Sequence, residues 1–341
     1  MSSARKLRVL YIFRKPSAKF HSIENLFASV QRHLPETIEF RNFYLPFHEG
    51  VSGKIKNILF VIRSCKKFRQ FDLIHITGDI TYIAPFVCGK KIVTYHDLGS
   101  LLDNRSRLAQ KILTLLWIKF PIVSSDAVTA ISQATAREVM GISPAAEDKI
   151  HYIPNCIPDS WHRDNIDVRQ RVRYALAIGV KKNKNLERII KAIDGLDITL
   201  VIVGKPDREQ QELLSHSNLE YVVWETLEYE QVRELYSQVD LVVFPSLYEG
   251  FGLPILEAQA SGVPLITSNI EPMLSVSGSG AIKVNPFSQS QIRDAIVRLC
   301  DNFDLRRELV KLGLENVKDY FCSNISQQYA KLYFHLTNTK K

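Results

Sequence analysis

The feature that most constrains the fold of this chain is a regular alternation of short apolar runs with amphipathic stretches. In the first half, the stretches between the runs carry apolar residues at three- and four-residue spacing, which is typical of helices with one buried face. Strands that alternate with helices form β-α-β units and a parallel sheet. We predict strands at 7–13, 38–44, 72–77, 91–96, 126–131 and 150–153, and helices at 22–34, 54–68, 105–120 and 132–140.

A second series of the same kind follows a polar, proline-containing stretch at 154–173. Its predicted strands are 174–178, 198–203, 221–223, 241–244, 264–267 and 281–284, and its predicted helices are 185–193, 209–216, 229–239, 254–261 and 290–302. We therefore predict an α/β fold of two Rossmann-like, doubly wound domains facing each other across a cleft. Open α/β sheets bind ligands at the carboxyl ends of their strands, so the cleft is the expected site.

The predicted domains are residues 1–160 and 161–322, and a last helix within 323–341 is expected to pack back on the first domain. Charge separates the two domains, because residues 1–160 carry 22 basic and 13 acidic side chains and the rest carry 22 and 23. The whole net charge of +8 thus arises in the first half. A basic excess favours polyanionic partners. No nucleic-acid-binding motif accompanies it, so we expect no nucleic acid among the partners.

The cysteines and the N-terminus bear on the compartment. Five cysteines without a C-x-x-C pair argue against a disulfide framework and a structural zinc site. The apolar run at 7–13 is too short for a signal peptide, and no run approaches the ~18 residues of a spanning helix. We expect a cytoplasmic protein in a reducing compartment, with no metal and no cofactor.

The segment with the most chemical information runs from Phe244 to Glu257, FPSLYEGFGLPILE. A predicted strand leads into a glycine-containing turn, and a helix follows with Pro254 near its first position, where proline is tolerated. The free N–H groups at such a helix start form an anion site. Glu249 lies in the turn and Glu257 one turn into the helix, where a carboxylate can accept hydrogen bonds from a ribose diol. The alternative is that Glu249 caps the helix and Glu257 is a solvated surface residue.

This segment resembles the E-x7-E signature of the retaining nucleotide-sugar glycosyltransferases of family 4, which have the GT-B fold. The similarity continues through 258–268 and includes shorter pieces in the same order: YHD at 95–97, AIS at 130–132, IPN at 153–155 and KNL at 184–186. It covers about residues 7–320. The resemblance implies an acceptor-binding first domain and a second domain that binds a nucleotide diphosphate sugar.

Carried over residue by residue, the resemblance implies a set of roles. Glu257 binds the donor ribose, and Glu249 lies at the sugar ring beside the backbone of Phe251, Gly252 and Leu253. Lys184 contacts the diphosphate, and His96, at the end of a first-domain strand, contacts the transferred sugar. The alternative for His96 is a hydrogen bond to Asp97 or to a backbone carbonyl.

Three departures from the family pattern limit this transfer. The arginine that usually follows the glycine of the first strand of the second domain is absent, since Val180 follows Gly179. Lys181 or Lys182 is a candidate substitute, and Lys182 and Lys184 can exchange roles because the spacing from Gly179 is about one residue short.

The other two departures lie in the first domain. The expected glycine-rich loop is replaced by residues 14–24, which either present Arg14, Lys15, Lys19 and His21 to a phosphorylated acceptor or form a basic solvent loop with Ser22 as a helix cap. Cys156 stands where glycine is usual, and we expect it to be a small packed turn residue.

Two helices concentrate the basic residues of the first domain. Residues 54–69 and 105–120 combine an apolar face with lysine, arginine and aromatic side chains, the composition of an interfacial helix on anionic lipid. The alternative is that the apolar faces belong to the core and the charges are solvated. Contact with the membrane is therefore an open expectation.

Together these observations predict a retaining, metal-independent glycosyltransferase that acts on a UDP- or GDP-sugar and a glycan or lipid-linked acceptor. The expected setting is bacterial surface polysaccharide or lipopolysaccharide synthesis on the inner face of the cytoplasmic membrane. Two other classes stay open. One is another GT-B enzyme such as a sugar-nucleotide epimerase, and the other is a non-catalytic sugar-nucleotide-binding protein.

Overall fold

The computed structural model describes residues 5–16, 22–47, 50–98, 106–163 and 166–338. The chain divides into two compact units: Met1–Cys156 with Cys322–Lys341, and Ile157–Phe321. Each unit contains one six-stranded parallel sheet with helices, so the predicted α/β class is confirmed.

In the first unit the sheet order is β2-β1-β3-β4-β5-β6. The strands are β1 (Leu7–Phe13), β2 (Ile38–Tyr44), β3 (Leu73–Ile76), β4 (Lys91–Tyr95), β5 (Ala127–Ala130) and β6 (Ile150–Tyr152). The helices are α1 (Ser22–Arg32), α2 (Val51–Phe68), α3 (Arg107–Leu113), α4 (Phe120–Ser124) and α5 (Gln133–Ile142). A 3-10 segment follows β3 at Gly78–Phe86, and a π-helical segment, Thr114–Lys119, joins α3 to α4.

In the second unit the sheet order is β12-β11-β10-β7-β8-β9. The strands are β7 (Tyr174–Ile178), β8 (Thr199–Val203), β9 (Tyr221–Trp224), β10 (Leu241–Phe244), β11 (Leu265–Ser268) and β12 (Ile282–Val284). The helices are α6 (Leu186–Ile193), α7 (Arg208–His216), α8 (Tyr229–Gln238), α9 (Leu253–Ala260), α10 (Met273–Val276), α11 (Gln289–Asp301) and α12 (Phe303–Val317). The last helix, α13 (Cys322–Asn338), belongs to the first unit.

Apolar strand residues form the core of each unit. Strands β7, β8 and β10 are buried on both faces, as their near-continuous apolar sequences require in a parallel sheet. The last helix completes the core of the first unit, where Ile325, Tyr329 and Tyr333 pack against β1 and α1.

Several local predictions are corrected. The expected helix at 54–68 begins at Val51, and the helix expected to end at 120 passes through the π segment and continues to Ser124. No helix was predicted over Phe303–Val317, where α12 lies. The expectation of unpaired cysteines is wrong for one pair, because Cys156 and Cys322 form a disulfide within the first unit. Among the described helices, none combines the length and the apolar character needed to cross a membrane.

Candidate active site

In the second unit, the sites expected for phosphate and for the two glutamates lie at one place in the sheet. Strands β7 and β10 are hydrogen-bonded neighbours, and the strand order reverses between them. Ligands bind open α/β sheets in the crevice at such a reversal point. The loops that follow β7 and β10 carry Gly179, Lys184 and Glu249.

Gly179 has a conformation that suits glycine, and a close neighbour. Its φ of +84° lies in the left-handed region, and a Cβ atom here would lie 2.9 Å from Cγ of Lys184. The missing side chain therefore lets the alkyl chain of Lys184 lie directly against the backbone that ends β7.

Lys184 forms an ion pair with Glu249. Its Nζ is 2.5 Å from Oε1 of Glu249, and both side chains are largely shielded from solvent, with 19% and 13% exposure. The same Nζ lies 4.9 Å from the centre of the Phe244 ring. The sequence assigned Lys184 to phosphate and Glu249 to sugar, and the structure brings these two side chains into direct contact.

Asparagines on either side of the contact fix the two loops to each other. Asn183 donates from Nδ2 to the carbonyl of Tyr248 at 2.9 Å and to Oε1 of Glu249 at 3.4 Å. Asn185 is buried, adopts φ +62°, and donates to the carbonyls of Pro245 and Pro286 at 2.9 and 2.7 Å. The position of Lys184 is thus set by its two neighbours in the sequence.

Sequence reasoning missed Arg188. This arginine lies in the first turn of α6 and donates to Oδ1 of Asn185 at 2.8 Å, while its guanidinium is 5.8 Å from the ring of Phe287. A cation is thus present near the loop in which the family's arginine is absent. The KNLER string at 184–188 contains the available signal, because it places a second cation in the first turn of the helix that follows Lys184.

The other two candidate cations, Lys181 and Lys182, lie on the surface. Lys181 and Lys182 are exposed, and Lys182 begins a 3-10 turn, Lys182–Lys184. Val180 points into the core, since a Cβ atom at Gly204 would lie 3.1 Å from its Cγ1. Val180 therefore does not replace the missing arginine, and the roles of Lys181 and Lys182 stay predictions.

Helix α9 begins as the sequence indicates. Gly252 precedes it with φ +104°, Leu253 is its first residue, and Pro254 its second. The first N–H groups of a helix have no acceptor within the helix and favour negative charge. Phe251 is buried and packs on Tyr320 at a ring distance of 6.0 Å, so its side chain contributes to the core and its backbone is the part near the turn.

Glu257 is half-buried on α9 and has a specific partner. The hydroxyl of Tyr236 donates to Oε2 at 2.7 Å. Burial raises the pKa of the Glu257 carboxyl, whereas the Tyr236 hydrogen bond and the charge of Lys184 act in the opposite direction. Tyr236 is itself buried and packs on Trp161, with ring centres 5.4 Å apart. One carboxylate oxygen is therefore held by protein, and the other has no recorded partner among the described residues.

In the first unit, His96 follows β4 directly. Its Nε2 is buried and has no hydrogen-bond partner among the described residues. Burial, together with the charge of Arg14, lowers the pKa of His96 to about 4, although Asp97 acts against that shift. His96 is therefore neutral at physiological pH and has an unsatisfied polar atom, a combination that suits a ligand contact.

The loop after β1 does not present Arg14 freely. Its guanidinium pairs with Glu24 and with Asp79, each at 3.0 Å. Lys15 is partly exposed, whereas Lys19 and His21 lie outside the described residues, as does the side chain of Ser22. Arg14 is thus held in two ion pairs, and the acceptor-facing role of this loop stays a prediction.

Two family models match this chain in succession. The model described as Glycosyltransferase Family 4 matches residues 5–161, and the one described as Glycosyl transferases group 1 matches residues 165–315. Together the two matched ranges contain every strand of the two six-stranded sheets.

Curated relatives are distant and longer than the matched region. The chain is 26% identical to the serotype-specific mannosyltransferase WbdA of Escherichia coli over 292 residues, covering 72% of this chain and 36% of that protein. It is 27% identical to the O-antigen chain mannosyltransferase RfbU of Salmonella typhimurium over 213 residues, covering 60% and 59%. The match thus spans less than two thirds of either relative.

Solved structures share the fold over the whole chain. A sucrose-phosphate synthase from Thermosynechococcus elongatus superposes with a TM-score of 0.75 at 19% identity and covers 98% of this chain and 100% of its own. A protein from Anabaena, HepE, in complex with UDP and glucose, has a TM-score of 0.70 at 14% identity, with 96% and 99% coverage. At these identities the likeness shows the GT-B fold alone. The two family models show that the chain belongs to the group 1 glycosyl transferases of glycosyltransferase family 4.

Proposed function

We propose that this protein transfers a sugar from a nucleotide diphosphate sugar to a hydroxyl group of a glycan or lipid-linked acceptor. The observation that carries the proposal is the cluster of Lys184, Glu249 and Glu257 beside the start of α9 at the reversal point of the second sheet. A cation, a helix start and a shielded carboxylate are together the groups that bind a diphosphate and a ribose.

The chemistry follows from where charge develops. When the bond between sugar and phosphate breaks, negative charge grows on the departing diphosphate, and fixed positive groups stabilise that transition state. Lys184 and the N–H groups at the start of α9 are the groups we assign to this task, with Lys181, Lys182 and Arg188 as further cations. These groups supply the charge that a metal supplies elsewhere, so we propose a metal-independent reaction.

The resting ion pair determines how Lys184 works. Before donor binds, Glu249 neutralises the ammonium group at 2.5 Å. A diphosphate competes with Glu249 for Lys184, which leaves the Glu249 carboxylate available to the hydroxyl groups of the sugar. Binding of the donor thus places Glu249 at the sugar and Lys184 at the phosphate, as the family resemblance implies.

We propose a retaining outcome in which the acceptor attacks the face of the sugar that the diphosphate leaves, with the diphosphate assisting deprotonation. His96 is the candidate sugar contact from the first unit. As a neutral imidazole, it offers Nε2 as a hydrogen-bonding group without adding charge.

The setting we propose is bacterial surface polysaccharide synthesis, with mannose as the first sugar to test. The supporting observation is that the relatives WbdA and RfbU are named as a serotype-specific and an O-antigen chain mannosyltransferase. We further propose that the protein works on the cytoplasmic side, in peripheral contact with the membrane that carries a lipid-linked acceptor.

The test is a donor screen that measures nucleotide release from UDP- and GDP-sugars. We expect one donor to be turned over, and Lys184→Ala to lower its kcat/KM on the order of 10²–10³-fold, the usual cost of one transition-state donor. Lys311→Ala, which removes an exposed lysine of α12, is the matched control and should retain full activity. Chelation of divalent metals should leave the rate unchanged, and product anomers followed by NMR should show retention. Turnover that is unaffected by Lys184→Ala would overturn the assignment.

A further inference from the structure

Helix α2 leaves an apolar stripe on the surface of the first unit. Val51, Ile55, Leu59 and Ile62 recur at four-, four- and three-residue spacing and are between 47% and 80% exposed. The opposite face of the helix, with Val61 and Phe68, is buried in the core. A helix that only covers a core would keep large aliphatic residues off its outer face.

The helical segment 107–124 leaves a second stripe. Leu108, Ile112, Leu116, Phe120 and Val123 are between 40% and 70% exposed, and they follow one another at three- and four-residue spacing. The π segment Thr114–Lys119 interrupts the regular turn between α3 and α4, and such segments are often found at functional sites. The buried face of the segment 107–124 is formed by Ile118 and Ile122.

The two helical segments that carry the stripes are neighbours in the first unit. The buried faces of the two helical segments contribute to the same core cluster, and both segments flank the 3-10 segment Gly78–Phe86. Lys54 of α2 lies with its Nζ 4.5 Å from the ring of Trp117, and Tyr82 contacts Asn57 of α2 and the Trp117 ring. We call the two exposed stripes and their flanking basic residues the two-helix face.

The charged residues of the two helical segments are all basic. Neither Val51–Phe68 nor the segment 107–124 contains an aspartate or a glutamate. Beside the second stripe lies an open depression of about 650 Å³, which is lined by Arg107, Gln110, Lys111, Thr114, Leu115 and Lys119. Three cations and two neutral hydrogen-bonding side chains thus line a groove next to exposed leucine and isoleucine.

We propose that the two-helix face docks the protein on an anionic lipid bilayer. The apolar stripes enter the boundary between headgroups and acyl chains, and Arg107, Lys111 and Lys119 lie at the level of the lipid phosphates. Amphipathic helices with this arrangement lie in the plane of the membrane interface. The inference deepens the peripheral location proposed above, but it concerns a surface that takes no part in the donor site.

A second copy of this chain fits the face less well than a bilayer. Two-fold dimers bring the same patch of each subunit together, so the cations of one face would meet the cations of the other. An anionic bilayer offers opposite charge and an apolar interior at the same place. Charge complementarity therefore favours lipid, and self-association becomes an outcome of the test.

The experiment is flotation of the full-length protein with vesicles. We expect binding to vesicles of phosphatidylglycerol and phosphatidylcholine, weak binding to phosphatidylcholine alone, and weaker binding as salt is raised. Lys111→Glu with Lys119→Glu should lower the partition coefficient, since each basic residue near an anionic surface contributes about fivefold. Leu108→Ser with Ile112→Ser should abolish flotation on both kinds of vesicle.

Matched pairs on the second unit serve as controls. Arg298→Glu with Lys311→Glu makes the same change in net charge, and Val222→Ser with Leu312→Ser removes exposed apolar groups of similar kind. Both control pairs should float like the original protein. Equal loss in target and control pairs, or no loss in either, would overturn the docking face, and so would a dimer that the Leu108→Ser and Ile112→Ser changes convert to monomer without any vesicle binding.

The same samples separate this proposal from the proposed function. Donor turnover is measured with a soluble acceptor analogue and no lipid. Variants that lose flotation should keep the turnover of the original protein. Absence of turnover in every sample would contradict the proposed function and leave the flotation result to decide the docking face.

Discussion

At the scale of single residues, Tyr236 determines how Glu257 presents its charge. Burial raises the pKa of the Glu257 carboxyl, and the hydroxyl of Tyr236, at 2.7 Å from Oε2, is one of two groups that lower it. A carboxylate accepts hydrogen bonds from a ribose diol at both oxygens only when it is ionised. Tyr236 is therefore a positioning residue for the proposed donor site.

Removing the hydroxyl of Tyr236 should make donor binding more sensitive to pH. In Tyr236→Phe, the pKa of Glu257 rises further, so ionised carboxylate is lost at a higher pH as the solution is acidified. We expect the donor KM of the variant to exceed that of the original protein by about tenfold or more on the acidic side, because a hydrogen bond to a charged group contributes about 1.5–3 kcal/mol. The kcat of the variant should change little, and its donor KM should recover in part at pH 8.

The measurement is steady-state kinetics at several pH values. Tyr221→Phe, at an exposed position of β9, is the control and should match the original protein throughout. A loss of kcat with the same pH profile as the original enzyme would mean that Tyr236 supports the fold rather than the charge of Glu257.

At the scale of elements, the turn from β7 to α6 places Lys184 because Gly179 has no side chain. Gly179→Ala puts a Cβ atom 2.9 Å from Cγ of Lys184 and requires a positive φ of an alanine. We expect kcat/KM to fall on the order of 10- to 100-fold, since small displacements of a catalytic group have effects of that size. The backbone cost to stability should be about 1–2 kcal/mol.

Gly195→Ala separates displacement from backbone strain. Gly195 has a similar φ of +75°, but a Cβ atom there meets nothing within 4 Å. Both variants should lose a similar amount of stability in thermal unfolding, and only Gly179→Ala should lose activity. Equal activity in the two variants would show that Lys184 does not depend on this contact.

The elements that sequence predicted well are those with a strong period. The β1 and β2 ranges agree with the predicted ones. For β1 the reason is its nearly continuous apolar run, which has few other ways to fold in so short a segment. The π segment Thr114–Lys119 was not predicted, since its residues continue a helical pattern and only packing selects the wider turn. Helix α12 was missed at Phe303–Val317 although its signals are in the sequence, since Asn302 caps the first turn and Leu305 and Leu309 recur at helical spacing.

Contacts between distant residues mark the limit of sequence reasoning. Lys184 and Glu249 were each identified, yet their ion pair joins loops 65 positions apart that meet only because β7 and β10 are adjacent. The Cys156–Cys322 disulfide was not predicted, since an odd number of cysteines without close pairs gives no indication of partners. The ion pair follows from the sheet order, and the disulfide joins the points where the chain leaves the first unit and returns to it.

At the scale of the whole molecule, the chain leaves the first unit after Cys156 and returns to it at Cys322. The disulfide joins these two points, and α13 then lies against the first sheet. A buried network holds the helix there: the hydroxyl of Tyr333 is 2.7 Å from Nδ1 of His75 and 2.8 Å from the hydroxyl of Tyr11, and Nε2 of His75 is 2.6 Å from Oγ1 of Thr94. One of the groups that hold the C-terminal helix is thus a buried imidazole.

That imidazole makes the attachment dependent on pH. Burial, with a smaller effect of His96, lowers the pKa of His75 from its ordinary 6.5 to about 3. Below pH 6.5 the unfolded chain therefore binds a proton at His75, whereas the folded chain binds it only near pH 3. The stability contributed by neutral His75 is thus complete above pH 6.5 and is lost as the pH falls. The expected slope of the unfolding free energy against pH is about 1.4 kcal/mol per pH unit for this one proton.

In His75→Gln, thermal unfolding between pH 6.5 and 5 should show a slope of unfolding free energy that is lower by that amount, whereas His216→Gln, at an exposed position of the second unit, should keep the original slope. Hydrogen exchange should place the acid-induced opening in residues 322–338 of the original protein, because Tyr333 loses its neutral partner when His75 is protonated. An identical slope in His75→Gln and the original protein, or acid opening confined to the second unit, would show that the last helix is held independently of this histidine.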